Sequence, residues 1–471
     1  LTTIVSSRRR SIWLWIAAAL ALDIAGSQHV YTLANVGAAV VAALALLWIA
    51  PPSIWRALAP TERAPHRPFA LLLPFGFVAA VLDLASFVPP DGGWTPERLT
   101  LLIVGLITLL LLLRFPAIAI ALGAFALGTI IRVIHMDNIP IVPEHGDMLP
   151  LVQGALGHFL AGLSPYRTYQ MPWEVPLTYL PVTWLSYLPA YLLGVDLRWT
   201  NIGAELVIAG AIIWLSGQRN GWETAWRREP GLVLWGWLYL QPSVIHWDTG
   251  NTAPITWALL AVALALTLAE RHTAAAIALG VTAAGTPFVA VFALFIGLHW
   301  LRERGPVETV RLTAIAGIVA AVIIAPFLLW APGDFVTGTY RWFNHIDGWP
   351  RQKWLETDPP IWSVITGFSG EFWARGAQGW LKPIQALIVL SIAGLYWLRG
   401  ARLTLLTSHA VAAFLGFMLF NPVLWPYLYN PALVAGLVGI AGGALAGFAY
   451  ESFPAPVVEP ARPTSVQSKG L

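Results

Sequence analysis

Apolar runs long enough to cross a lipid bilayer recur along the whole of this chain, and no other feature restricts its folding so severely. They occupy approximately residues 12–27, 30–50, 69–88, 98–114, 116–134, 176–194, 200–216, 231–246, 252–269, 273–300, 307–330, 378–398, 403–420 and 430–449. A helix needs roughly 17–25 apolar residues to cross the hydrocarbon core. Only 11% of the residues are charged, against about 25% in an ordinary globular domain. The expected fold class is therefore all-α, a polytopic membrane protein of about fourteen transmembrane helices. A transmembrane barrel would show alternating segments of about ten residues, and the sequence has none.

The chain has no cysteine, which removes disulfides, thiolate metal sites and cysteine nucleophiles. Its net charge is +3; the charge is spread over loops, and nearly all of the positive charge is arginine. That distribution fits a positive-inside bias and gives no basic patch for nucleic acid. Tryptophans gather at the ends of apolar runs, where interfacial belts form. The N-terminal "SSRRRSIWLWIAAALAL" reads as a first span held on the cytoplasmic side by Arg8, Arg9 and Arg10. Loop 51–68 then reads as cytoplasmic. Loops 89–97, 135–175 and 331–360 read as external, so the two long polar loops share one face. The run 273–300 is interrupted at Gly285–Pro287 and is either one bent span or two half-helices. The Pro-rich tail 451–471 reads as disordered.

Candidate chemistry collects in the first long loop. Glu144, His145, Asp147 and His158 lie within fifteen residues. Residues 147–161 form a modestly amphipathic stretch suited to an interfacial helix, of which Asp147 is either the N-cap or a functional acid. The E-H-G-D spacing does not define a metal site, since zinc favours histidine pairs at helical spacing. Prolines 165, 172, 176, 181 and 189 make an extended lead-in to the next run. Arg167 stands among aromatics, with no acid nearer in sequence than Glu174, and suits a phosphate contact. In the second loop, "YRWFNHIDGWPRQKW" supplies the cations Arg341, His345, Arg351 and Lys353. These are either phosphate ligands or headgroup anchors. Asp23, Asp83, Glu205, His246, Asp248 and Asn251 are polar residues in or beside apolar runs. Asp23 and Asp83 lie near run ends, where exposure or pairing explains them. Asp248 and Asn251 sit at a helix junction and either line a pocket or cap a turn.

The order of motifs resembles the GT-C class of integral membrane glycosyltransferases, in particular the bacterial polyprenyl-phosphate-mannose-dependent branch. "GDMLPLVQGALGHFLAGLSPY" followed by "PLTYLP" is similar to that branch's external loop. Asp147 stands at its acid, Gly162, Pro165 and Tyr166 at its "G-x-x-P-Y", and Tyr179 and Pro181 at its "Y-P-P". "QPSVIHWDTGNTAP" and "FNPVLWPYLYNPALVAGL" are similar to two later motifs, with Trp425 and Tyr427 in the second. Thr286 stands near where the branch often has lysine, and Tyr427 near where it often has histidine. The resemblance covers roughly residues 116–450, leaving 1–115 as a four-helix N-terminal membrane extension.

The resemblance implies a membrane glycosyltransferase, transferring a hexose or pentose from a polyprenyl-phosphate-linked donor to a lipid, glycan or protein acceptor. It places the enzyme in the bacterial cytoplasmic membrane with its active site on the external face. Asp147 would be the general base, with Glu144 in reserve. His145, His158, Tyr166, Arg167, Tyr179, Asp248, Asn251, Arg341, His345, Arg351, Lys353, Trp425 and Tyr427 would bind substrate. No cofactor is expected, and a divalent metal is not favoured. The competing readings are a transporter or lipid flippase, and a non-catalytic membrane subunit retaining the GT-C scaffold.

Overall fold

The computed structural model describes residues 66–87, 95–171, 174–342, 376–421 and 426–443, and Phe372 besides. The expected spans 12–27 and 30–50, Asp23, the tail, and His345, Arg351, Lys353 and Trp425 lie outside these residues.

The described chain is helical apart from one small hairpin. Helices α1 (Leu72–Phe87), α2 (Pro96–Leu112) and α3 (Ala117–Asn138) come first, then α4 (Met148–Leu160). The hairpin pairs β1 (Thr168–Gln170) with β2 (Glu174–Pro176) antiparallel, Tyr169 opposite Val175. Short helices α5 (Pro181–Leu185) and α6 (Leu188–Leu193) lead into α7 (Arg198–Asn220). There follow α8 (Trp222–Arg228), α9 (Pro230–Tyr239), α10 (Pro242–Gly250), α11 (Ala253–Leu268), α12 (His272–Ala283) and α13 (Val289–Trp330). After α14 (Pro332–Val336) come α15 (Leu381–Leu398), α16 (Leu403–Leu419) and α17 (Asn430–Ala441).

The expectation of about fourteen spans is corrected. Among the described residues, four helices are long and apolar enough to cross a membrane, namely α3, α7, α13 and α15. The number is five if α10 and α11, bent by 108°, count as one. Apolar runs overstate spans because hydropathy does not register local breaks. The run 176–194 is divided into a strand and two helices of five and six residues. Gln241 and Pro242 divide 231–246, and Gly285–Pro287 divide 273–300 into α12 and the start of α13. Proline opens each new segment cheaply, because the first turn of a helix leaves its N–H groups unpaired anyway. Pro96, Pro181, Pro230 and Pro242 all stand in first turns. Within α13, Gly305 leaves helical geometry (φ 80°, ψ 172°) and separates two apolar stretches. The placement in the bacterial cytoplasmic membrane, with a site on its external face, rested on the fourteen-span count and falls with it.

The loop helix expected at 147–161 is α4. It is not laid along a lipid interface: Leu149, Leu151, Val152, Ala155 and Leu156 are buried in the protein, and it packs on α5 and α6. Two apolar cores hold the helices together. One joins α1 and α2 to α3, α9 and α10 through Phe77, Leu109, Ile131, Trp237 and Ile245. The larger joins α4, α7, α11, α13, α16 and α17 around Trp184, Trp257, Phe292 and Phe414. Helix α3 contributes to both, and a set of charged and amide side chains is buried beside it.

Candidate functional site

Arg132 on α3 and Asp248 on α10 are both fully buried, and they form a salt bridge. Arg132 Nε donates to Asp248 Oδ2 at 2.6 Å, and Nη2 reaches the same oxygen. Nη1 donates to the Gly128 carbonyl at 3.1 Å. The guanidinium lies 3.5 Å from the centre of the Tyr239 ring, a cation–π contact that partly replaces lost hydration. The Tyr239 hydroxyl bonds Thr129 at 2.9 Å, and its ring stacks on Trp235. Trp235 Nε1 in turn donates to Glu205 Oε2 on α7 at 3.0 Å. A buried charge of this kind is tolerated only when paired and hydrogen-bonded.

The first turn of α7 joins this cluster to the chain around it. Asn201 Nδ2 donates to the Asp248 carbonyl at 2.7 Å and to the Asn251 carbonyl at 2.8 Å. The Tyr187 hydroxyl donates to Asn201 Oδ1. One turn earlier, Arg198 donates to the Met136 and Ile139 carbonyls at 3.0 and 2.7 Å, closing the end of α3, and it also pairs with Asp196. The break between α10 and α11 is made by Asn251. Its Oδ1 accepts the Thr252 and Ala253 N–H groups at 2.6 and 2.9 Å.

Asp147 lies at the edge of this frame. Gly146, at φ +154°, brings its loop against the Gly250 carbonyl at the end of α10. Asp147 is partly buried and makes no capping bond to α4. Its charge acts on Tyr179 and Tyr427. Burial raises the Tyr179 phenol well above its ordinary value, Tyr427 and Asp147 add to the rise, and a bond with Thr252 opposes it. Burial also raises Tyr427, a bond with Asn251 lowers it, and Asp147 raises it. The Tyr427 ring lies 5.0 Å from that of Trp247. Asp147, Tyr179, Asn251 and Tyr427, all singled out in the sequence, therefore lie within electrostatic or hydrogen-bonding range of one another although they span 280 positions (427 − 147). No ion pair to Asp147 occurs among the described residues.

The other candidates are placed elsewhere. Glu144 and His145 are exposed in the turn before Asp147. His158 donates from Nδ1 to the Gly154 carbonyl at 2.9 Å and accepts Arg167 at Nε2 at 3.1 Å. Arg167 is exposed. Tyr166 is buried, and its hydroxyl donates to the Tyr179 carbonyl at 2.9 Å, locking the backbone that carries Tyr179. Arg341 is exposed at the end of the turn after α14. The beginning of the second long loop does pack on the first, with the Phe335 and Tyr166 rings 4.6 Å apart. The Asp248 carboxylate is buried and meets Arg132 through Oδ2. Asp83 pairs with His246 at 2.8 Å. Among the described residues, no group of three or more His, Asp or Glu could hold a metal.

Sequence reasoning missed Arg132, Asn201, Tyr187 and Trp235. The signal for Arg132 was present: an arginine within the run 116–134 needs a partner.

The fold and cluster define a helical protein with a buried ionic network and an acidic, tyrosine-lined corner beside it. No known protein family matches the chain, and neither a curated protein nor a solved structure does. The resemblance to the GT-C class is accordingly corrected. The described helices do not supply the polytopic scaffold that class requires. The membrane glycosyltransferase activity, its polyprenyl-phosphate-sugar donor and its membrane-lipid partner are withdrawn with it. The transporter, flippase and membrane-subunit readings rested on the same fourteen-span count and fall with it.

Proposed function

We propose that the corner formed by Asp147, Tyr179, Asn251 and Tyr427 binds a small ligand rich in hydroxyl groups. The observation that carries this reading is a partly buried carboxylate beside two phenols, with no cation paired to it among the described residues. A carboxylate accepts short, charge-assisted bonds from hydroxyls. Phenols both donate and accept, which matches hydroxyls that do the same; an ammonium group, a donor only, would leave the phenol protons unmatched. The rings of Tyr427 and Trp247 give apolar surface for the C–H faces of such a ligand. Asn251 serves indirectly, by holding Tyr427.

The test is calorimetric titration of the full chain and of Asp147→Asn against a panel of simple sugars, polyols and organic amines. Hydrogen bonds to a charged group contribute about 1.5–3 kcal/mol, so Asp147→Asn is expected to weaken polyol binding roughly 10- to 100-fold. Binding of amines in preference to polyols, or polyol binding indifferent to the substitution, would overturn the assignment.

A further inference from the structure

The ionic cluster contains two carboxylates and one cation. Arg132, Asp248 and Glu205 are 0%, 0% and 2% exposed. Asp248 takes the guanidinium through two nitrogens. Glu205 receives only a neutral indole N–H, from Trp235. Were both acids ionised, the cluster would bury an uncompensated negative charge, which proteins avoid by moving a proton.

The groups facing Glu205 across the neighbouring elements are few. Helix α3 presents Arg132, α10 presents Asp248, and α9 presents Trp235 and Tyr239. Helices α11 and α17, which also pack on α7, carry no ionisable side chain. Helix α8, which also packs on α7, carries Glu223, Arg227 and Arg228, all of them exposed.

We infer that Glu205 is a protonated carboxylic acid in the folded protein, so that the Arg132 cluster is a binding site for one proton distinct from the Asp147 corner. Burial and the Asp248 carboxylate both favour the neutral acid, and Arg132 opposes them. Trp235 donates to Oε2, and because the carbonyl is the stronger acceptor of a carboxylic acid we place the proton on Oε1. The proton is bound in the folded chain and released on unfolding at neutral pH. Its contribution to stability is complete below the ordinary carboxylate range and declines as pH rises through the folded value.

Infrared spectroscopy and thermal melting across pH test this on the full chain. A protonated carboxyl gives a carbonyl band at neutral pH that is expected to disappear in Glu205→Gln. The same variant should melt as the wild type does at pH 5 and above it on the alkaline side. Trp235→Phe keeps the acid and removes its donor, so the band should move to higher wavenumber. A band unchanged in both variants overturns the inference. So does a Glu205→Gln protein that follows the wild type's alkaline loss of melting temperature, and so does a band absent from the wild type. If Glu205→Gln does not fold, the Trp235→Phe band shift decides the question alone.

Discussion

Replacing Asp248 by Asn strips the buried guanidinium of its principal partner. Arg132 retains one bond to the Gly128 carbonyl and the face of Tyr239, and neither neutralises a charge. Breaking a fully buried pair from one side costs roughly 3–5 kcal/mol, two to four powers of ten in the folding equilibrium. Glu205 modifies that figure. A neutral acid within reach of Arg132 can release its proton and supply the missing negative charge, so Asp248→Asn alone should fall near the lower end. Glu205→Gln alone should cost little, because an amide replaces an already neutral group and keeps the carbonyl that accepts Trp235. Together, the reserve is gone and the cost rises to the upper end. The double variant should therefore exceed the sum of the singles by at least about 1 kcal/mol, within the coupling usual for charges in one buried network. Chemical unfolding of the four proteins, followed by tryptophan fluorescence, measures the cycle. Additivity within about 0.5 kcal/mol would refute the argument, since it would mean that Glu205 does not respond to the charge on Asp248.

Two further outcomes follow from the packing and the caps. Gly280 lets α12 approach α13 so closely that an added Cβ would lie 2.5 Å from the Ala316 carbonyl oxygen and 2.7 Å from Val319 Cβ. Gly280→Ala should lower stability by about 1–3 kcal/mol, as overpacking does, and an unchanged melting temperature would show that the two helices separate freely. Glu229 caps α9 by accepting the Gly231 N–H at 2.9 Å and bonds Ser216. Burial raises its carboxyl above the ordinary value, while those two bonds pull it down. The folded state thus holds this proton more tightly than the unfolded state. The associated stability is present below about pH 4.3, the unfolded carboxylate value, and is lost as pH rises through the folded value. Glu229→Gln keeps the cap acceptor and should remove that part of the pH dependence of melting; a profile unchanged from the wild type would contradict it.

The sequence was most legible where chemistry had to interrupt hydrophobicity. Asp147 follows a glycine and opens a helix with one apolar face, and α4 is that helix. The acid, the tyrosines at 179 and 427 and Asn251 each stand out in the sequence, and the fold brings them into range of one another. The spans were poorly legible. A run such as 176–194 has the composition of a bilayer helix, yet Pro176, Pro181, Pro189 and Gly194 divide it into a strand and two short turns of helix. Hydropathy sums composition and is blind to such breaks. Arg132 escaped notice because an isolated arginine in an apolar run looks like an exception until its partner, 116 positions away, is known. The partnership of Asn201 with two backbone carbonyls had no sequence signal at all, since any asparagine could make it.

The opening turn of α7 has a consequence for how this protein can diverge. Arg198 grips the exit of α3, and Asn201 grips the junction of α10 with α11. The residues from Pro140 to Met148 leave the first of these anchors and pass beside the second, where Gly146 lies against the Gly250 carbonyl. Substitution within that span can reshape what meets Asp147 while the anchors stay put, so descendants of this sequence are free to change their preferred ligand at small expense to the fold. Substitution at Arg198 or Asn201 offers no such freedom, because the first releases the exit of α3 and the second the junction of α10 with α11.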